Sequence, residues 1–138
     1  MKNPITDQIV NHLECLGYKI EELKGIEEKD VILATHEQRA NIVFDITKSN
    51  TVLMGARYTI SEPNVTANQE FMNQLNVVNS RTVFTKWYYD ENKEKRISMK
   101  IETFAIGYDK HVFGTLLEVI ERDIFENMSK LQEALKIS

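Results

Sequence analysis

Between Tyr18 and Ile60 the apolar residues of this chain recur at every second position, whereas both flanking regions step by threes and fours. That change of period constrains the fold more than any other feature. A repeat of two keeps one face of a strand apolar but scatters the same side chains around a helix. Tyr18-Lys19-Ile20-Glu21 alternates and the pattern has broken by Gly25, after which Val31-Ile32-Leu33-Ala34 forms a short apolar run. Ile42, Phe44 and Ile46 share one face, and Val43, Asp45 and Thr47 the other. Ser49-Asn50 signals a turn, Val52, Met54, Ala56, Tyr58 and Ile60 resume one face, and Ser61-Glu62-Pro63-Asn64 ends the strands. Strands joined by short turns imply an antiparallel meander, helix-covered on one side and partly wet on the other.

The first helix is predicted from Pro4, which suits a first turn, with Asp7 at the positive end of the dipole. Ile5, Ile9, Val10, Leu13 and Leu16 form its stripe, and Gly17 stops it. A second helix runs from about Thr66 to Asn79 on Phe71, Met72, Leu75 and Val78, with Asn73, Asn76 and Asn79 along a neighbouring face. Thr82 to Asp90 reads as a strand rich in aromatics, and Asp90 to Lys95 as a charged hairpin loop. In the next strand Ile97, Met99 and Ile101 share one face and Phe104 and Ile106 the other, until Gly107 breaks it. A final helix spans about Lys110 to Lys136 on Phe113, Leu117, Ile120, Ile124, Met128, Leu131 and Leu135. Val112, Leu116, Val119 and Phe125 widen that stripe beyond what one sheet contact needs, so Leu116 and Val119 are candidates for a homodimer contact.

The class is therefore α+β, an antiparallel sheet packed against helices in the order α-β-β-β-β-α-β-β-α. The 138 residues suit a single domain, 1–138. Hydrophobic residues at 42% and charged residues at 28% argue against disorder. A net charge of -4 disfavours nucleic acid, whose binding draws on phosphate neutralisation, and the basic cluster Lys93-Glu94-Lys95-Arg96 is interrupted by a glutamate. The N-terminal residues lack the apolar run of a signal peptide, and no stretch approaches the roughly 18 apolar residues of a membrane span. Cys15, alone, forms no internal disulfide, and a reducing cytoplasm is expected. The sequons at Asn64 and Asn127 then carry no weight.

Chemistry finds little purchase. His12 and Cys15 could be half a zinc site, but no second pair exists, and partly buried core residues are expected instead. His36-Glu37 begins an H-E-x-x-H pattern, yet Ala40 stands where the second histidine belongs, and His111 lies elsewhere. Cys15 lacks a nucleophile motif and reads as a small buried hydrophobe. The glycines stand apart, so no phosphate loop is present. Asp45 and Glu102 fall within strands, where the outward face of a half-exposed sheet is the simpler place for them. No cofactor, metal site or catalytic set is expected. Trp87 and Tyr89, on one face of their strand, are candidate anchors for a protein partner.

The segment Phe71-Met72-Asn73-Gln74-Leu75-Asn76 resembles the hydrophobic-hydrophobic-Asn-x-Leu-Asn signature of the YbjN-type family of bacterial sensory transduction regulators. The aromatic strand, charged turn, second strand and long apolar helix that follow are similar too. This resemblance implies a fold like that of type III secretion chaperones, which are small acidic proteins, commonly dimeric, that bind polypeptide segments. Asn73 and Asn76 map onto the motif, with an expected structural role of bonding backbone where helix meets sheet. The expected function is a non-enzymatic protein-binding or regulatory module, a homodimer with an unidentified protein partner and no nucleic-acid or membrane partner. The alternatives are a small-ligand sensor or enzyme with a pocket between sheet and helices, and an acidic immunity-type neutraliser of a basic partner.

Overall fold

Asn3 starts the fold. In a computed structural model that describes residues 3–23, 28–59, 66–91 and 96–136, its Oδ1 accepts the Ile5 N–H at 2.9 Å and caps helix α1, Pro4–Cys15. Its Nδ2 donates to the Thr47 carbonyl at 3.0 Å, and its own N–H donates to Asp30 Oδ2 at 3.0 Å. The Thr6 hydroxyl donates to the same carboxylate oxygen at 2.6 Å. One capping residue thus aims the helix and ties it to two strands. The stop is Gly17, whose φ of +91° is a conformation that glycine adopts without strain, and the Tyr18 N–H then reaches back to the Leu13 carbonyl at 3.1 Å.

Strands β1 (Lys19–Leu23), β2 (Lys29–Thr35), β3 (Ile42–Thr47) and β4 (Thr51–Thr59) follow, then α2 (Gln69–Arg81), β5 (Lys86–Glu91), β6 (Ile97–Ile106) and α3 (Lys110–Lys136). The sheet runs β1-β2-β3-β4-β6-β5, and the predicted α-β-β-β-β-α-β-β-α order of this α+β fold is the observed one. Ile60, Gly25, the Ser61–Asn64 strand end, the tip of the charged hairpin and the Asn64 sequon lie outside the described residues.

The chain forms two compact units, one of residues 1–56 and 103–117, the other of 57–102 and 118–138. In the first unit Ile32 pairs with Phe44 and Phe44 with Met54, all three buried. Ile42, Ile46 and Val52 extend that face, and Ile9, Leu13 and Leu117 are buried with them. Phe113 stacks on Phe44 with ring centroids 5.7 Å apart. At the β3–β4 turn, Asn50 holds a φ of +67°, in the left-handed region that asparagine tolerates.

In the second unit Phe71, Leu75 and Val78 of α2 are buried, as are Trp87, Ile97, Met99 and Ile101 of the strands and Ile120, Leu131 and Leu135 of α3. The helix α2 begins later than its apolar pattern predicts because Asn68 caps it, accepting from the Phe71 N–H at 2.7 Å. Asn68 Nδ2 also donates to the Ala134 carbonyl at 3.1 Å, joining the start of α2 to the end of α3. Strand β5 begins at Lys86 rather than Thr82. The Thr82 hydroxyl lies 3.0 Å from both the Val78 and Thr85 carbonyls, which folds Thr82–Thr85 into the end of α2.

Candidate functional site

The histidines and the cysteine do not converge, and among the described residues no group of three or more His, Cys, Asp or Glu could hold a metal ion. His36 is committed to the backbone. The Gln38 N–H donates to its Nδ1 at 2.9 Å, which leaves Nε2 to donate to the Leu16 carbonyl at 3.2 Å. His12 is half-buried, with Nδ1 2.8 Å from the Tyr108 hydroxyl and its ring 5.0 Å from that of Phe113. Burial, and then the charge of Lys110, hold its pKa below the usual histidine value. Burial raises the Tyr108 phenol, with Asp109 and Cys15 adding to the effect.

Cys15 is exposed, not the buried hydrophobe expected. At 100° per residue it stands about 200° around α1 from the core residue Leu13, and so faces outward. The two strand carboxylates have partners: Asp45 pairs with Lys29 at 3.1 Å, and Glu102 accepts from the Tyr88 hydroxyl. Burial first, and then that bond, push the Tyr88 phenol up to about 12.

Three of the four expected contact residues are core. Leu116 and Val119 are 8% and 7% exposed and Trp87 only 2%, so none is available to a partner. Of the residues that widen the α3 stripe, Leu116 and Val119 are consumed inside the chain, while Val112 and Phe125 stay exposed. Tyr89 is half-buried and meets Phe71 edge-on at 5.3 Å. Asn73 and Asn76 are both exposed, and Asn73 accepts from Gln69 Nε2 at 2.9 Å. The helix-to-strand bonds expected of them belong to Asn79, whose Oδ1 accepts the Trp87 N–H and whose Nδ2 donates to the Trp87 carbonyl, each at 2.8 Å.

What the sheet leaves open is more informative. In the first unit the register aligns Glu21, Leu33, Val43 and Gly55 in one cross-strand row and Leu23, Val31, Asp45 and Leu53 in the next. Both rows lie on the face opposite Ile32, Phe44 and Met54. The Gly107 N–H donates to the Asn50 carbonyl at 2.7 Å, and antiparallel pairing counted from that bond sets Phe104 beside Leu53. Phe104 is 63% exposed and Ile106 80%, while Leu23, Val43 and Leu53 are exposed to a lesser degree. Exposed large apolar side chains thus recur on β1, β3, β4 and β6 on this face, with Val31 of β2 buried in the same row. Alternation of apolar residues signals such a face only when both phases of a strand are apolar, as in Val31-Ile32-Leu33 and Phe44-Val43.

Two clefts accompany these surfaces. One in the first unit, about 490 Å³, is lined by Gly17, Lys19, Thr35, His36 and Asn41 among others. The other, about 470 Å³, lies in the second unit between Arg81–Phe84 and the α3 residues Arg122–Lys130.

No protein-family model matches the chain, and no curated protein matches it in sequence. Solved structures do match in fold. The crystal structure of YbjN from E. coli, a proposed transcription regulator, superposes with a TM-score of 0.64 at 16% identity, covering 91% of this chain and 92% of that one. An uncharacterized protein from Methanothermobacter thermautotrophicus superposes with a TM-score of 0.75 at 13% identity, covering 95% and 99%. At these identities the likeness is one of architecture: the chain has the fold of YbjN.

Proposed function

We propose that this chain is a non-enzymatic regulatory module that acts by binding another polypeptide on the open face of its first unit. The observation that carries the reading is the set of exposed hydrophobic side chains, Val43, Leu53, Phe104 and Ile106 on the adjacent strands β3, β4 and β6, with Leu23 on β1. Side chains of this size left contiguous in water mark an interaction surface more often than an ordinary exterior. Flat aliphatic strands flanked by the exposed Phe104 suit a partner that lays down an apolar face, with the Lys29–Asp45 pair within the same surface to fix register. The proposed regulatory role of YbjN, which shares the fold, points the same way. A second copy of the chain is one such partner, and the single cysteine suits a cytoplasmic setting.

The test compares proteins retained by the immobilised chain and by a Phe104→Ser/Ile106→Ser variant whose thermal unfolding is unchanged. The expected result is a set of partners lost with the two side chains. Identical retention by both would overturn the reading, and light scattering on the same pair separates self-association from a foreign partner.

A further inference from the structure

The second unit carries a different and independent surface. Val83 is 83% exposed and Phe84 is exposed beside it, held out because the Thr82 hydroxyl folds Thr82–Thr85 into a turn instead of a strand. They line the cleft of about 470 Å³ together with Arg81, Arg122 and Lys130. Phe125, 88% exposed, stands about 140° around α3 from Lys130 at 100° per residue, and so lies outside this cleft. A protein with a net charge of -4 thus sets three cations beside two exposed apolar side chains, Val83 and Phe84.

Among the described residues, Asp123 is the acid of this cleft that pairs with one of those cations, Arg122. Asp123 is buried, accepts from the Thr85 hydroxyl at 2.7 Å, and has Arg122 at 3.4 Å. Its role is internal: the Thr85 oxygen in turn accepts from the Trp87 indole at 3.1 Å, which links Asp123 to β5 through Thr85 beneath the cleft. Asn127, also buried, donates to the Asp123 carbonyl at 2.8 Å. Glu126 is the remaining acid of the lining. Among the described residues neither Arg81 nor Lys130 forms an ion pair.

We infer that this cleft binds an acidic polypeptide segment that carries large apolar side chains, the cations meeting its carboxylates and Val83 and Phe84 its apolar groups. Charge complementarity selects the sign of the partner, and the exposed Val83 and Phe84 select a polypeptide with hydrophobic anchors over a simple polyanion. Arg122 and Lys130 are eight positions apart on one helix, about 12 Å at 1.5 Å per residue. An extended segment spans that distance with carboxylates about four residues apart.

The test uses fluorescence anisotropy with a short fluorescein-labelled peptide bearing glutamates about four residues apart around two phenylalanines. The full chain should bind it, with an affinity that falls as salt rises. Arg81→Glu/Lys130→Glu should weaken binding by about tenfold or more, and Phe84→Ser by several-fold, with circular dichroism unchanged. Arg81 and Lys130 are chosen because neither touches the Thr85–Asp123 floor. The peptide with lysines for glutamates should not bind, nor should the one with alanines for phenylalanines. Equal binding of the lysine peptide, no loss on charge reversal, or tighter binding of a uridine-rich RNA would each overturn the proposal. Phe104→Ser/Ile106→Ser should leave peptide binding intact, so failure here and failure of the sheet-face reading are distinguishable.

Discussion

The Asn79 side chain bonds both backbone groups of Trp87, accepting its N–H and donating to its carbonyl at 2.8 Å each. An amide presents the same donor and acceptor pair as a peptide group, so Asn79 takes the place of a neighbouring strand along the free edge of β5. Edge strands with open hydrogen-bonding groups invite pairing with other chains, and this one is closed at Trp87 by its own helix. Replacing Asn79 with Ala should cost about 1 kcal/mol in urea unfolding, the usual value for such bonds at a half-exposed site. Asn73→Ala and Asn76→Ala should cost less than about 0.5 kcal/mol. Equal losses at all three positions would show that the two hydrogen bonds to Trp87 contribute nothing particular.

Thr85 links two buried polar groups, donating to Asp123 and accepting from the Trp87 indole. Thr85→Val preserves shape but leaves both without that partner. The expected loss is about 2 kcal/mol, together with a shift in the emission of the single tryptophan. Thr85→Ser should restore most of both. A valine variant as stable as the parent would mean that water or a rearranged side chain replaces the hydroxyl.

Gly17 combines a φ of +91° with an approach of 3.1 Å between His36 Nε2 and the place a Cβ would occupy. Gly17→Ala should therefore destabilise by about 1–2 kcal/mol, through backbone strain and by pressing on the His36–Leu16 bond. Nitrogen chemical shifts of the His36 ring report the second effect directly, since the parent carries its proton on Nε2. A neutral Nδ1–H form in the parent protein would contradict the hydrogen-bond assignment.

His12 titrates below the ordinary histidine value in the folded chain, because burial and then Lys110 disfavour its charged form. A lowered folded pKa means the unfolded chain binds the proton more readily. The stability this provides is present above the unfolded value, near pH 6.5, and is lost as pH falls through the lower folded pKa. Unfolding free energies measured between pH 7.5 and 5 should fall more for the parent than for His12→Gln. Parallel curves would remove His12 as the cause.

Ile120 is fully buried on α3, and Ile120→Ala should cost about 2–5 kcal/mol. Leu116→Glu and Val119→Glu put a charge into the interior, and both should unfold the chain instead of merely separating a dimer. A folded, monomeric Val119→Glu protein would show that this side of the helix is open in solution. The single domain expected from length further predicts one cooperative unfolding transition by calorimetry, whereas two separate transitions would assign independent stability to the two compact units.

Much of this architecture is legible in the residue order because the signals are local. A period of two from Tyr18 onward, the Asn50 turn, and the glycines at 17 and 107 with φ values of +91° and +76° follow from backbone sterics and from which side chains alternate. The same logic placed Phe104 and Ile106 opposite Ile97, Met99 and Ile101, and they are indeed the exposed set. Where a strand begins was less legible at Thr82–Thr85, since β-branched and aromatic residues suit a strand, while a threonine hydroxyl can equally hold a turn.

What the sequence could not decide is how many layers cover each apolar face. Periodicity orients a side chain on its own element but does not count the neighbours beyond it. Leu116, Val119 and Trp87 carry the pattern of a surface surplus and are buried, while Phe125, Val83 and Leu53 carry similar patterns and stand in water. Burial is a property of the assembled elements, so only the tertiary structure could move the candidate surface from the outer stripe of α3 to the open sheet face and the cation-flanked cleft. The residues determined the elements and their order; the packing decided which of them a partner can touch.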